Sequence, residues 1–161
     1  MVKQKRRELD KEAALYLMQR YCVYQDRCQS EVRYRLIEHK VYGDDLENII
    51  ADLILDDFLN EERFARSYAR GKFRIKSWGK IKIINQLKFK GISAYCLKKA
   101  MTEIEDEEYF NTLKQLLIKK AELVKSKNIY EKRKKLKNFA LQKGYEYFLI
   151  NEILNLVAKI E

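Results

Sequence analysis

Leu87-Lys88-Phe89-Lys90-Gly91-Ile92, near the middle of the chain, has two counterparts: Leu36-Ile37-Glu38-His39-Lys40-Val41 and Ala140-Leu141-Gln142-Lys143-Gly144-Tyr145. Anchored on Val41, Ile92 and Tyr145, the three stretches extend into a repeat in both directions. Nine residues before the anchor stand Val32, Ile83 and Leu136; five after stand Leu46, Leu97 and Ile150. Nine after come Ile50, Met101 and Leu154, and twelve after come Leu53, Ile104 and Val157. The last three sets step by four and then three, which is one face of an α-helix. Each unit therefore holds a helix that ends near the anchor, a tight turn, and a second helix. Gly91 and Gly144 stand where a left-handed C-cap is wanted, and Lys40 fills that place in the first unit less comfortably. Ser93 and Asp44 are expected N-caps, the latter with Glu47 at capping-box spacing. Asp26-x-x-Gln29 and Asn60 are expected to cap the helices that follow them.

About 20 residues precede each helix pair, enough for a third helix over 11–24, 60–75 and 106–125. The predicted fold is all-α: three tandem three-helix repeats over 11–58, 59–105 and 106–161, behind a basic N-terminal tail at 1–10. Units that bury one face on a neighbour stack into an elongated, curved array, with a compact bundle as the alternative. Composition agrees, for the 161 residues include no proline, five glycines and 47% hydrophobic residues. Proline is the strongest helix breaker, and its absence removes it.

Little in the chain points to catalysis or metal binding. No nucleophile elbow, zinc-protease motif or phosphate-binding loop occurs. Cys22, Cys28 and Cys96 form no C-x-x-C pair, and the one histidine, His39, completes no zinc-ligand spacing, so buried reduced thiols are expected. Adjacent carboxylates such as Asp44-Asp45 and Asp56-Asp57 diverge on a helix and read as solvated ends. The expectation is a protein without enzymatic activity, cofactor or metal. No apolar run reaches membrane-spanning length and no secretory signal opens the chain, so a cytoplasmic location and no membrane partner are expected.

Charge is the informative property. Residues 1–62 carry net −4, residues 63–102 net +12 and residues 103–161 net +2, for a total of +10. Forty residues without a carboxylate depart from ordinary helical surfaces, which intersperse signs, and this suggests an anionic partner. Arg63, Arg66, Arg70 and Arg74 step by three, four and four, forming one stripe. Lys72 and Lys76 lie beside it, and Lys80, Lys82, Lys88 and Lys90 follow on the next helix. The guanidinium fork suits phosphate or carboxylate, while lysine supplies a mobile charge. A second run, Lys132-Arg133-Lys134-Lys135-Leu136-Lys137, opens a later helix against its dipole. Trp78 and Tyr95 lie in the basic block; they could stack on bases, but their helical positions suit core packing, which is the expectation.

Ala14-Leu15-Tyr16-Leu17-Met18-Gln19-Arg20 followed by Ser30-Glu31-Val32-Arg33-Tyr34-Arg35-Leu36 resembles the opening of RecX regulatory proteins. Phe58-Leu59-Asn60-Glu61-Glu62-Arg63-Phe64-Ala65, then Trp78-Gly79, then Leu87-Lys88-Phe89-Lys90-Gly91-Ile92, is closer still. The likeness spans about 13–157, and three tandem three-helix repeats are that family's architecture. Asn60-Glu61 departs from the acidic pair many members carry, although Asn still caps a helix, and the basic tail Val2–Arg7 carries no signature of the family. The resemblance implies a modulator of the recombinase RecA in recombination and DNA repair. Such a protein binds RecA and its filaments on single-stranded DNA and typically limits ATP hydrolysis, filament growth and strand exchange. Contact with RecA or the DNA phosphate backbone is expected from Arg63, Arg66, Arg70, Arg74, Lys80, Lys82, Lys88 and Lys90. Lys132, Arg133, Lys134, Lys135 and Lys137 form a secondary patch. Gly79 is expected to permit close packing. Nothing demands an oligomer, so a monomer is expected. The rival reading is a helical nucleic-acid-binding protein acting without RecA, through a helix-turn-helix centred on Lys90-Gly91-Ile92.

Overall fold

The computed structural model describes residues 9–157; residues 1–8 of the expected basic tail and residues 158–161 lie outside the described part. Among the described residues the secondary structure is entirely helical. The first unit comprises α1 (Lys11–Tyr24), α2 (Gln29–Glu38) and α3 (Gly43–Leu55). The middle unit comprises α4 (Glu61–Lys76), α5 (Lys80–Phe89) and α6 (Ala94–Met101), and the third α7 (Asp106–Leu123), α8 (Ile129–Lys143) and α9 (Tyr147–Leu156). Helix-on-helix packing is concentrated within units, so the fold is an array of three-helix repeats.

The repeat register survives in three dimensions. Every residue of the six aligned apolar triplets is buried, except Met101, which is half-buried. Lys40, Gly91 and Gly144 share a positive φ of 60°, 80° and 94°, so the same left-handed turn closes the middle helix of every unit. Asn60 caps α4 by accepting from the Arg63 N–H at 2.9 Å, and Ser93 caps α6 by accepting from Cys96 at 3.3 Å. Two expected caps move. Helix α2 starts after Cys28, whose N–H donates to the Glu31 carboxylate at 3.2 Å, while Asp26 turns to Arg63. Helix α3 starts at Gly43 with Tyr42 as N-cap, leaving Asp44 in its first turn, where a carboxylate favours the helix dipole.

Two apolar clusters result. One belongs to the first unit and centres on Met18, Val32, Leu36, Ile49 and Leu53. The other runs without interruption through the middle and third units, carried by the tilted ring series Phe73, Tyr109 and Tyr145 at 5.8 and 5.0 Å. All three cysteines are buried and free, and burial pushes the Cys22 thiol up to about 11.

The joint between the middle and third units is made by backbone. The turn at Lys143–Gly144 caps the start of α5: Gly79 N–H donates to the Lys143 carbonyl at 2.8 Å and Ile81 N–H to the Gly144 carbonyl at 3.0 Å. A third early donor, Lys80 N–H, reaches the Tyr109 hydroxyl at 2.9 Å, which itself donates to Glu146 at 2.6 Å. An early donor left unpaired there would lose a hydrogen bond. Gly79 is essential to this approach, since a Cβ on it would lie 2.2 Å from the Gly144 carbonyl carbon. It admits the neighbouring turn rather than a neighbouring helix.

Candidate functional site on the middle unit

Helix α4 places Arg63, Arg66, Arg70 and Arg74 on one stripe, and the fold folds carboxylates onto it. Arg63 Nε lies 3.1 Å from Asp26, and one terminal nitrogen lies 3.1 Å from Asp57. Arg66 meets Glu62 at 3.2 Å and Glu103 at 2.8 Å. Arg70 meets the other Glu103 oxygen at 2.9 Å, and Arg74 approaches Glu108 at 3.9 Å. Lys80 pairs with Asp106 at 3.0 Å and Lys90 with Glu31 at 2.9 Å. Asp26, Glu31 and Asp57 belong to the first unit; Asp106 and Glu108 begin the third. Six of the twelve basic residues in 63–102, the whole arginine stripe among them, are thus paired with carboxylates of the chain itself, whereas the sequence suggested an anionic partner for them.

The pairing shifts the titration of its members. Hydrogen bonds from Arg66 and then Arg70 hold the Glu103 carboxyl below the ordinary carboxylate range, and hydrogen bonds to Glu103 and Glu62 raise the Arg66 guanidinium. At Lys90, burial works against the charge, and the hydrogen bond to Glu31 together with Coulombic attraction to it and to neighbouring groups outweighs that cost, leaving the ammonium raised.

Lys82 and Lys88 are the members of the expected set with no carboxylate in pairing range among the described residues, and Lys72 and Lys76 share that property. The ammonium of Lys82 lies 4.5 Å from the Trp78 ring centre. That of Lys72 lies 4.9 Å from Trp78 and 5.3 Å from Tyr68. Trp78 is half-buried against the core, whereas Tyr95 is exposed rather than packed. The secondary patch lies apart on α8. There Lys135 pairs with Glu131 at 2.9 Å, Arg133 reaches the Leu154 carbonyl at 3.2 Å and the Asn155 side chain at 2.6 Å, and Lys137 lies 4.9 Å from the Tyr147 ring centre. Lys132 and Lys134 have no carboxylate in pairing range among the described residues.

Sequence reasoning missed these partners because they are remote along the chain: Asp26 is 37 residues from Arg63, and Glu103 is 37 residues from Arg66 and 33 from Arg70. The cue it had was the placement of Glu61-Glu62 and Glu103 at the two borders of the acid-free window.

The class these features define is a tandem three-helix repeat protein with a basic middle unit. The second three-helix domain of RecX matches residues 60–101, and the third three-helix domain of RecX matches residues 106–154. The regulatory protein RecX of Clostridium perfringens is 32% identical over 130 residues, covering 80% of this chain and 60% of that one. Its counterpart from Lactobacillus gasseri is 33% identical over 96 residues, 60% of this chain and 35% of the other. The crystal structure of RecX from Lactobacillus salivarius superposes with a TM-score of 0.80 at 26% identity, covering 91% of this chain and 95% of that one. The chain belongs to the RecX family. It spans between about a third and three fifths of the length of these two curated relatives. No helix among the described residues is long and apolar enough to cross a membrane.

Proposed function

We propose that this protein regulates RecA by binding the recombinase and its filament on single-stranded DNA, restraining ATP hydrolysis and filament growth, as a cytoplasmic monomer without catalysis of its own. The observation that carries the reading is the set of lysines left over on α4 and α5, on a unit that matches a RecX domain. A repeat array offers several weak contacts along a helical filament, and these add through effective concentration. The eight residues expected at the contact divide by role. Lys82 and Lys88 carry charge to the partner, while Arg63, Arg66, Arg70, Arg74, Lys80 and Lys90 shape the surface through their carboxylates and exchange toward phosphate at its edge. The α8 patch, Lys132, Arg133, Lys134, Lys135 and Lys137, supplies a second contact.

The test is the DNA-dependent ATPase of RecA with the full chain added. The wild type slows hydrolysis, and Lys82→Glu with Lys88→Glu removes most of that effect while retaining the helical circular dichroism. Normal restraint by the double variant refutes the assigned surface. A wild type with no effect on hydrolysis and no retention on immobilised RecA refutes the reading itself.

A further inference from the structure

A groove of about 540 Å3 separates the α4–α5 face of the middle unit from the segment that joins α1 to α2. Tyr68 and Trp78 line it, both half-buried, with Lys72 and Lys76. Its acidic members are already engaged: Asp26 holds Arg63 and Glu31 holds Lys90. The charge left over in the groove is therefore positive, and it sits against flat aromatic surface.

Gly71 supplies an independent observation. It lies inside α4 and lines the same groove. Glycine in a helix interior is destabilising relative to alanine. A Cβ at this position would meet no atom within 4 Å, so nothing in the chain's own packing calls for glycine here. Without a side chain at this position the groove stays open.

The geometry points to a binding site for single-stranded nucleic acid in this groove, with a base stacked beside Trp78 and Tyr68 and phosphates held by Lys72, Lys76 and Lys82. Single strands present unstacked base faces to aromatic rings, whereas a duplex hides them. An acidic protein segment offers matching charge but no flat ring to fill the aromatic wall. The ammonium groups of Lys72 and Lys82 now rest on the rings. Their flexible stems let them swing to phosphate and uncover the ring faces as a strand enters. The proposal rests on the DNA half of the reading above and requires no recombinase.

Trp78 is the only tryptophan of the chain, so its emission reports directly on the groove. A twenty-nucleotide oligo-dT titrated into the full protein, without RecA, quenches that emission. Affinity falls roughly twentyfold between 50 and 200 mM salt if three phosphates are held. A duplex of equal length leaves the emission unchanged. Gly71→Leu, a good helix former that fills the groove, keeps or raises the thermal midpoint and weakens oligo-dT binding at least tenfold. Three results overturn the proposal: oligo-dT binding seen by anisotropy with constant Trp78 emission, normal affinity in Gly71→Leu, or equal quenching by poly-glutamate. The RecA ATPase assay and the oligo-dT titration, both run on the wild-type chain, separate the two ideas. Restraint of hydrolysis without quenching discards the groove and retains the regulator, while quenching without restraint does the reverse.

Discussion

The two joints of the array are built differently. The third unit meets the middle one through shared core and backbone, with Phe73, Tyr109 and Tyr145 in a row and the turn at Gly144 seated on the start of α5. The first unit has its own core, and meets the middle one through side chains: Arg63 with Asp26, Lys90 with Glu31, and the Ser30 hydroxyl donating to the Lys90 carbonyl at 3.0 Å. Cys28 alone among the first unit's buried residues joins the larger cluster. Apolar contact is indifferent to salt, whereas partly exposed ion pairs are screened by it. The array should therefore behave as one double unit carrying a more loosely attached single unit.

The turn glycines give the sharpest way to break that comparison. Gly144→Ala combines left-handed strain with a Cβ only 2.3 Å from the Lys82 Cβ, and should cost about 4 kcal/mol. Gly91→Ala, with open space around it, should cost only about 1 kcal/mol for the strain. Equal losses in urea denaturation of the two variants would mean that the joints are alike.

Leu87→Ala empties a fully buried site in the shared core and should cost about 3 kcal/mol. In hydrogen exchange it should lower protection across α4–α9, whereas Leu36→Ala, its repeat partner in the first unit, should expose mainly α1–α3. Uniform loss in both variants would merge the two clusters into one cooperative unit. Tyr109→Phe leaves the Lys80 N–H and Glu146 without their shared hydroxyl, for a loss of about 2 kcal/mol, read in the same denaturation assay.

Acid sharpens the picture at the arginine stripe. Glu103 has a folded pKa below its ordinary value of 4.5, so its contribution is present above that value and lost as pH falls through the lower folded pKa. The thermal midpoint should decline below about pH 4.5, and Glu103→Gln should flatten part of the decline. An identical pH profile in the variant would show that the pairing carries no linkage. The smallest effect is expected for Asp26→Asn, about 0.5 kcal/mol at low salt and less at high salt, seen as easier proteolysis between α1 and α2.

Much of this arrangement is legible in the chain. The apolar register at Val41, Ile92 and Tyr145 identifies core positions, since helical periodicity is local and burial follows it. The left-handed turn is equally local, which is why Lys40 could be placed beside two glycines. Caps were less legible: Asp26 reads as an N-cap but is drawn away by an arginine 37 residues on, and Cys28 takes the position with help from Glu31. Tyr95 reads as core from its spacing, yet Cys96, Leu97 and Ala100 form the buried face of α6 and leave it on the outer side.

The sequence by itself determined the repeat, the helices and the surplus of positive charge in the middle unit, because periodicity and composition are properties of neighbouring residues. Only the tertiary structure decided which of those charges remain available. Coulombic pairing acts over a few ångströms in space: Glu103 reaches Arg66 and Arg70 once α6 packs on α4, and Asp26 and Glu31 reach Arg63 and Lys90 once the first unit meets the middle one. What is left over, Lys72, Lys76 and Lys82 beside Trp78 and Tyr68 with Gly71 open next to them, exists as a group only after α4 and α5 pack together.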